Sequence, residues 1–192
     1  MFRKIALIIL LTYSLLNNCV HSGVTQYNVK LKGIEPFENM KNPWLNFQEL
    51  KLKKLNKTHF AIDGIFNILR NDIAVDKLLV SVHGAIKMSN GYQQSSLLKL
   101  DKQSFCNFWE NDQILMPAVK KAINVTDVTC PPKVGIYGFI NYMTDTSKFP
   151  DNLPGKYWRF THTYYEGDDV VGGYKCYMEI DSTTNVAFTK MT

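Results

Sequence analysis

The chain has 192 residues, of which 45% are hydrophobic, 12% aromatic and 20% charged, and its formal net charge is +5. This composition is typical of one ordinary globular domain and excludes a disordered or collagen-like chain. The charge excess is too small for a typical nucleic-acid-binding surface, so we expect no nucleic-acid partner. We interpret the one basic cluster as a solvated strand face, with Leu50 and Leu52 turned inward. That cluster consists of Lys51, Lys53, Lys54 and Lys57.

The first 22 residues are interpreted as a secretory signal peptide. Arg3 and Lys4 precede an apolar run over residues 5–16, which is too short to span a bilayer. Val20 and Ser22 suit the two positions that signal peptidase reads, so we place cleavage after Ser22 and one domain over residues 23–192. No second apolar stretch of about 20 residues occurs, which predicts a secreted, extracellular protein with no transmembrane segment.

Period-two alternation predicts that the domain is built from β-strands. Residues 23–44 read as a polar lead that contains proline. A strand over residues 48–55 and a strand over residues 58–69 are joined by a turn at Asn56-Lys57, and this arrangement predicts a hairpin. The apolar side of the second strand carries Phe60, Ile62, Gly64, Phe66 and Ile68.

A second hairpin is predicted from residues 78–88 and 92–100, joined at Ser89-Asn90-Gly91. Asp101 is expected to cap a helical stretch that Pro117 interrupts. Three further strands are expected over residues 135–142, 156–165 and 170–180. Two apolar faces follow from the alternation: Trp158, Phe160, His162 and Tyr164 on one strand, and Tyr174, Cys176, Met178 and Ile180 on the next. Six or seven antiparallel strands with one helical insert predict an all-β sandwich or cup.

Enzymatic motifs are absent from the sequence: it contains no nucleophile elbow, no His-Glu-x-x-His pair and no glycine-rich phosphate loop. His59, His83 and His162 are far apart and have no cysteine or carboxylate at metal-ligand spacing, so we interpret them as structural. Cys106 with a histidine is a conceivable thiol catalyst, but disulfide pairing is the commoner fate of a cysteine in a secreted chain. We therefore expect no catalytic residue, no metal and no cofactor.

Cysteine and asparagine patterns fit an extracellular protein. Cys19 falls in the predicted signal peptide, which leaves three cysteines for one disulfide and one spare thiol, with three pairings open. The three are Cys106, Cys130 and Cys176. Asn56-Lys57-Thr58 and Asn124-Val125-Thr126 are N-glycosylation sequons, so Asn56 and Asn124 are predicted glycosylation sites.

The aromatic content allows two interpretations. The 11 Phe, 10 Tyr and 3 Trp residues exceed what a modest core needs, so some of them could line an apolar pocket for a lipid or another hydrophobic molecule. The alternative is that they simply fill the space between the sheets. Composition alone favours the filled core.

An ordered set of short motifs spans both halves of the chain. The first half contains Leu55-Asn56-Lys57-Thr58-x-Phe60-Ala61-Ile62-x-Gly64-x-Phe66. The second contains Phe105-Cys106-x-Phe108, Cys130-Pro131-Pro132-Lys133-x-Gly135-x-Tyr137, Phe149-Pro150-x-x-Leu153-Pro154-Gly155-x-Tyr157, Tyr165-Glu166-Gly167 and Val171-Gly172-Gly173. The set resembles insect secreted proteins of the chemosensory CheA/CheB type, which belong with the MD-2-related lipid-recognition proteins and the lysosomal ganglioside activator.

The resemblance implies an immunoglobulin-like β-cup that binds a lipid or other hydrophobic molecule without catalysis, with a role in contact chemosensation or pheromone response and a membrane receptor as a further partner. It also implies a disulfide between Cys106 and Cys130. Cys176 is then either a buried free thiol or, if cleavage falls earlier, a partner of Cys19. The residues predicted to line the pocket or fill the core are Phe60, Phe66, Val80, Val82, Phe105, Phe108, Trp109, Phe139, Trp158 and Phe160. Two rival classes are an interaction module with a filled core and a secreted enzyme.

Overall fold

A computed structural model describes residues 26–47, 49–124, 129–150 and 152–183, where the chain forms two antiparallel β-sheets that pack face to face as a sandwich. The predicted all-β class is therefore confirmed. The predicted signal peptide, its cleavage site and Cys19 lie outside the described residues. Within the described part, no helix is long and apolar enough to cross a membrane.

The larger sheet contains five strands. They are β1 (Gln26–Pro36), β5 (Leu78–Met88), β6 (Gly91–Ser104), β8 (Tyr157–Glu166) and β9 (Asp169–Thr183). Their spatial order is β1-β9-β8-β5-β6, and all neighbouring strands are antiparallel. The predicted β5–β6 hairpin is thus confirmed, and β8 and β9 form a further hairpin. His162 pairs with Val82 on one side and with Tyr174 on the other, which places these three side chains on one face of the sheet.

One edge of this sheet carries a bulge in β6. His83 pairs with Lys99 and Ala85 pairs with Gln94, so residues 95–98 of β6 lie opposite the single residue Gly84 of β5. Leu98 covers Gly84 closely, because a Cβ built on that glycine would lie 2.9 Å from the Leu98 Cβ. The ladder between the two strands is interrupted there and resumes on both sides.

The smaller sheet is organised around its central strand, β4. Its strands are β2 (Leu45–Asn46), β3 (Lys51–Lys54), β4 (Phe60–Ile68) and β7 (Gly135–Tyr142). β7 pairs along one edge of β4, while the short β2 and β3 pair with different ends of the other edge. The predicted hairpin at Asn56-Lys57 is confirmed, with Leu50 buried just before β3 and the four clustered lysines exposed.

The interpretation of residues 23–44 as a lead without strands is wrong. β1 occupies Gln26–Pro36 and pairs with β9 over almost its whole length. Tyr27 and Leu31 are buried on the alternating pattern of a strand, but the register shifts between Leu31 and Gly33. This irregularity breaks the period-two signal after only three apolar positions, which made the segment look unstructured.

The helical insert begins later than predicted and is divided in two. Asp101 does not cap a helix, because β6 continues to Ser104 and keeps its pairing with β5. Ser104 instead caps α1 (Phe105–Asn111), with its hydroxyl accepting a hydrogen bond from the Asn107 N–H. A second helix, α2 (Met116–Ala122), follows, and Pro117 lies in its first turn rather than inside one long helix.

Asp112 organises the break between the two helices. Its Oδ1 accepts hydrogen bonds from the backbone N–H groups of Ile114, Leu115 and Met116, at 3.2, 2.6 and 2.9 Å. These are donors that the start of α2 would otherwise leave without partners. The helices bridge the two sheets, because α1 packs on β5 and β6 while α2 packs on β7.

A disulfide ties this helical bridge to the loop that precedes β7. Cys106 in α1 bonds Cys130, with a Cα–Cα distance of 5.4 Å, which confirms the predicted pairing. Cys176 is a buried free thiol among the described cysteines, on the inner face of β9. Burial raises the pKa of this thiol to about 12, so it stays protonated and unreactive under ordinary conditions.

Replacing both Cys106 and Cys130 with serine is expected to lower the free energy of unfolding by about 3.5 kcal/mol. The bond closes a loop with a sequence separation of 24, and its removal restores that conformational entropy to the unfolded chain. Urea denaturation of the double variant beside the wild type measures the difference. Cys176→Ser is the matched control for loss of a thiol, and a double variant as stable as wild type would contradict the expectation.

Candidate ligand-binding cavity

An apolar cavity of about 60 Å³ lies between the two sheets, beneath the helical bridge. Aromatic and aliphatic side chains from both sheets, both helices and the segment around β2 form its wall. Among the described residues, no Asp, Glu, Lys or Arg lines it. The wall comprises Trp44, Leu45, Phe47, Phe66, Ile68, Phe105, Trp109, Leu115, Met116, Val119, Ile123, Pro132, Tyr137, Phe139, Tyr142, His162, Tyr164 and Tyr174.

A second cavity of about 20 Å³ continues deeper between the sheets. It lies against Cys176 and Met178 of β9 and Phe160 of β8. The two cavities share four wall residues, which form the partition between them: Leu115, Tyr142, His162 and Tyr174. Small rearrangements of these side chains would therefore join the two spaces.

Four of the ten predicted pocket residues line the main cavity: Phe66, Phe105, Trp109 and Phe139. Phe160 lines the smaller cavity, and Phe60 lines a separate surface groove beside Tyr27 and His59. The other four are buried in the core without lining either cavity: Val80, Val82, Phe108 and Trp158. Sequence alternation predicts the inner face of a strand but not which positions along it meet an empty space.

The cavity wall also includes residues that the sequence analysis did not select. Trp44 and Phe47 come from a segment with no regular periodicity, and their rings pack against Phe105 and Tyr174 at centroid distances of 5.2 and 4.8 Å. His162, Tyr164 and Tyr174 were predicted to lie on inner strand faces, and the structure places them there. The inward-facing positions of these three residues on their strands were the sequence signal that could have identified them as cavity residues.

Polar atoms in the wall fall into two groups. The Tyr137 hydroxyl donates to the Lys133 carbonyl at 2.8 Å, and the Tyr142 hydroxyl bonds the side chain of Thr144. Within the described ranges, the side chains of Tyr164, Tyr174 and His162 form no hydrogen bond with another protein group. These three, which we call the polar triad, lie on neighbouring strands β8 and β9.

The polar triad is electrically neutral. The His162 imidazole stacks on the Tyr174 ring with a centroid distance of 4.6 Å and an interplanar angle of 8°. Burial lowers the pKa of His162 to about 4, so the ring is uncharged near pH 7. Burial also raises the pKa of Tyr174, and the proximity of Tyr164 and Tyr142 raises it further. The wall can thus exchange hydrogen bonds with a ligand but offers no charge to it.

The predicted surface sites lie outside the cavity. Asn56 is exposed, and its Oδ1 accepts hydrogen bonds from the Thr58 and His59 N–H groups, both at 2.9 Å. Asn124 is exposed too, with its Oδ1 accepting from the Gly138 N–H at 2.8 Å, while residues 125–126 of that sequon lie outside the described ranges. Searching the described residues found no group of His, Cys, Asp and Glu arranged to hold a metal ion.

Comparison with models of known protein families found no match for this chain. Comparison with curated proteins likewise found no significant similarity. Any functional conclusion therefore depends on the cavity itself and on the sequence motifs.

Proposed function

We propose that this chain is a secreted, non-enzymatic binding protein that holds a lipid or another small hydrophobic molecule between its two sheets. The observation that carries the proposal is the cavity: its wall is apolar and aromatic except for a few tyrosine hydroxyls and one neutral imidazole. Sites for small hydrophobic ligands have this character, since apolar walls supply affinity and sparse polar groups fix orientation.

The motif resemblance supports the same proposal. The Cys106–Cys130 bond, the helical bridge and the two antiparallel sheets are all features that an MD-2-related lipid-recognition domain would have. We propose that the sandwich is of that immunoglobulin-like type. A role in contact chemosensation or pheromone response, with a membrane receptor as a further partner, rests on the likeness to the CheA/CheB proteins.

The helical bridge is the wall that would move when a larger ligand enters. The cavity measures about 60 Å³, whereas sites for drug-sized ligands measure about 300–1,000 Å³. Each helix has only seven residues, and helices this short depend on tertiary packing rather than on their own hydrogen bonds. Displacing α2 from β7 would widen the cavity without breaking the pairing within either sheet.

Secretion and ligand content can be tested together. Expressed in insect cells from the full sequence, the protein is expected to appear in the medium and to release a stoichiometric hydrophobic species into organic solvent, identified by mass spectrometry. An unrelated secreted protein prepared in parallel is the control. Purified protein is expected to bind N-phenyl-1-naphthylamine saturably, with enhanced fluorescence of the dye.

A matched pair of variants locates the bound dye. Val119 lines the cavity from α2, whereas Val75 is 49% exposed in the loop before β5 and lines no cavity described above. Val119→Phe fills cavity space and is expected to weaken dye binding at least tenfold, while Val75→Phe leaves it unchanged. A clean extract together with no saturable dye binding would contradict the proposal.

An interaction module is the second candidate, and the outer surface of β7 favours it. Ile136 and Ile140 on that strand are 68% and 59% exposed, and Val134 and Met143 beside it are about half exposed. Neighbouring exposed apolar side chains of this kind are typical of protein contact surfaces. With this function the core would stay closed, extracts would be clean, and Ile136→Ser with Ile140→Ser would abolish binding to the receptor.

A further inference from the structure

The polar triad gives the cavity a chemical preference. A polar side chain that lines a cavity without a protein hydrogen-bond partner is available to a ligand and helps to fix its orientation. His162 is only 9% exposed and its ring forms no hydrogen bond with the described residues. The partly buried Tyr164 and Tyr174 also lack protein partners there, although Tyr137 and Tyr142 in the same wall have them.

The triad could bind a hydroxyl or a carbonyl oxygen in several ways. A neutral imidazole supplies one N–H donor and one acceptor nitrogen, and each phenol supplies a donor and an acceptor. His162 and Tyr174 are cross-strand partners, and Tyr164 follows His162 by two residues on the same face of β8. Tyr142, Tyr164 and Tyr174 line the same cavity, and the proximity of neighbouring tyrosines raises the pKa values of Tyr164 and Tyr174.

Charged ligands are disfavoured by the same wall. A carboxylate or phosphate that loses its hydration needs a cation or several strong donors in return. Among the described residues lining the cavity, no Lys or Arg is present, and His162 is neutral because burial lowers its pKa to about 4. Charged groups near the helical wall are not among the residues that line the cavity; one example is the Lys120 ammonium over the Trp109 ring at 5.4 Å.

We propose that the cavity selects small apolar molecules that carry one neutral hydroxyl or carbonyl group, with the polar triad binding that oxygen. This inference rests on the proposed function, because it names the ligand class of the same cavity. At about 60 Å³ the cavity has room for about two water molecules at their liquid volume, so a ligand of this class enters as the helical bridge moves outward. The apolar part of the ligand lies against the aromatic wall.

Competition for N-phenyl-1-naphthylamine binding at pH 7.5 tests the preference. The competitors are 2-phenylethanol, ethylbenzene and phenylacetate, which share an aromatic ring and differ in the polar group. We expect 2-phenylethanol to bind about tenfold more tightly than ethylbenzene, because its hydroxyl forms hydrogen bonds with the polar triad. We expect phenylacetate to bind most weakly, because its carboxylate would lose hydration without meeting a cation. Equal affinities of the alcohol and the hydrocarbon, or tighter binding of the carboxylate, would overturn the proposal.

Three hydroxyl deletions locate the interaction. Tyr164→Phe and Tyr174→Phe are each expected to weaken 2-phenylethanol binding about threefold to tenfold and to leave ethylbenzene binding unchanged. Tyr137→Phe makes the same chemical change in the same wall, but its hydroxyl already donates to Lys133, so it is expected to have no effect on either competitor. If all three variants behave alike, the triad does not bind the oxygen.

The two proposals fail in different ways. If the chain has no ligand cavity in solution, neither the dye nor any competitor binds. If only the preference is wrong, the dye and all competitors bind with affinities that ignore the polar group. Thermal denaturation of each tyrosine variant shows whether it is folded, and His162→Gln, which keeps a donor and an acceptor, is expected to retain part of the alcohol preference.

Discussion

Replacing Gly64 with alanine is expected to destabilise the protein by about 4 kcal/mol, a large fraction of the stability of an ordinary domain, which is about 5–15 kcal/mol. Gly64 has φ = +123°, a backbone conformation that residues with a side chain rarely adopt. A Cβ at this position would also lie 2.4 Å from the Glu49 carbonyl oxygen and 3.4 Å from the Leu50 Cα. Both neighbours are backbone atoms, so no side-chain rotation can relieve the contact.

The expected magnitude combines two costs. A positive φ in a residue other than glycine costs about 1–3 kcal/mol, and forcing extra atoms into a packed site costs about 1–3 kcal/mol. A substitution at Gly91 measures the cost of positive φ alone. Gly91 has φ = +116°, but no atom lies within 4 Å of a Cβ built on it. Gly91→Ala should therefore lose only the first cost, about 1–3 kcal/mol. Urea denaturation of both variants gives the comparison, and equal stabilities would refute the steric argument.

Acid is expected to destabilise the protein through His162. The pKa of this group is about 4 in the folded chain because of burial, and about 6.5 when the chain is unfolded. Between these values the unfolded state binds a proton that the folded state does not. The contribution of neutral His162 to the free energy of unfolding is therefore fully present above pH 6.5. It is lost as the pH falls towards 4, which lowers the free energy of unfolding by about 3 kcal/mol in all.

His162→Gln removes this titration and is expected to flatten the dependence of unfolding free energy on pH between 6.5 and 4. The titratable groups facing His162 from β7, β8 and β9 stay neutral over this range, because burial raises the pKa of each: Tyr142, Tyr164, Tyr174 and Cys176. His83→Gln is the control, since His83 is outside the cavity wall and pairs with Asp101 at 2.6 Å. Urea titrations at pH 7.5 and pH 4 measure the effect. An unchanged acid loss in His162→Gln would show that His162 is not its source.

Strand positions were predictable from the sequence wherever alternation continues over a whole strand. β5, β7 and β8 agree with their predicted bounds to within one residue, because each has one regularly buried face. β1 was missed since a register shift at Gly33 divides its pattern. Asp101 has good helix-capping chemistry, but Leu100 and Gln103 on either side of it pair with β5 and hold this segment in the sheet, so tertiary contacts override the local preference.

The cavity was harder to predict because alternation specifies direction and not depth. Phe160 and His162 occupy equivalent positions on β8, yet only His162 reaches the main cavity, and that difference depends on what the opposite sheet and the helices place above them. Trp44 closes one side of the cavity from a segment held by irregular backbone hydrogen bonds, such as its N–H to the Val171 carbonyl at 2.7 Å. No local pattern encodes such contacts between distant segments.

The bulge in β6 has a consequence for how copies of this protein behave at high concentration. β6 is 14 residues long and lies at the edge of the five-stranded sheet in the described part of the chain. A long straight edge strand offers a template for aggregation by strand addition. The bulge at residues 95–98, four residues opposite one, breaks that straight edge near its middle, and the ammonium groups of Lys99 and Lys102 add charge beyond the break. An incoming strand could pair with only a few residues on either side, which keeps edge-to-edge association weak.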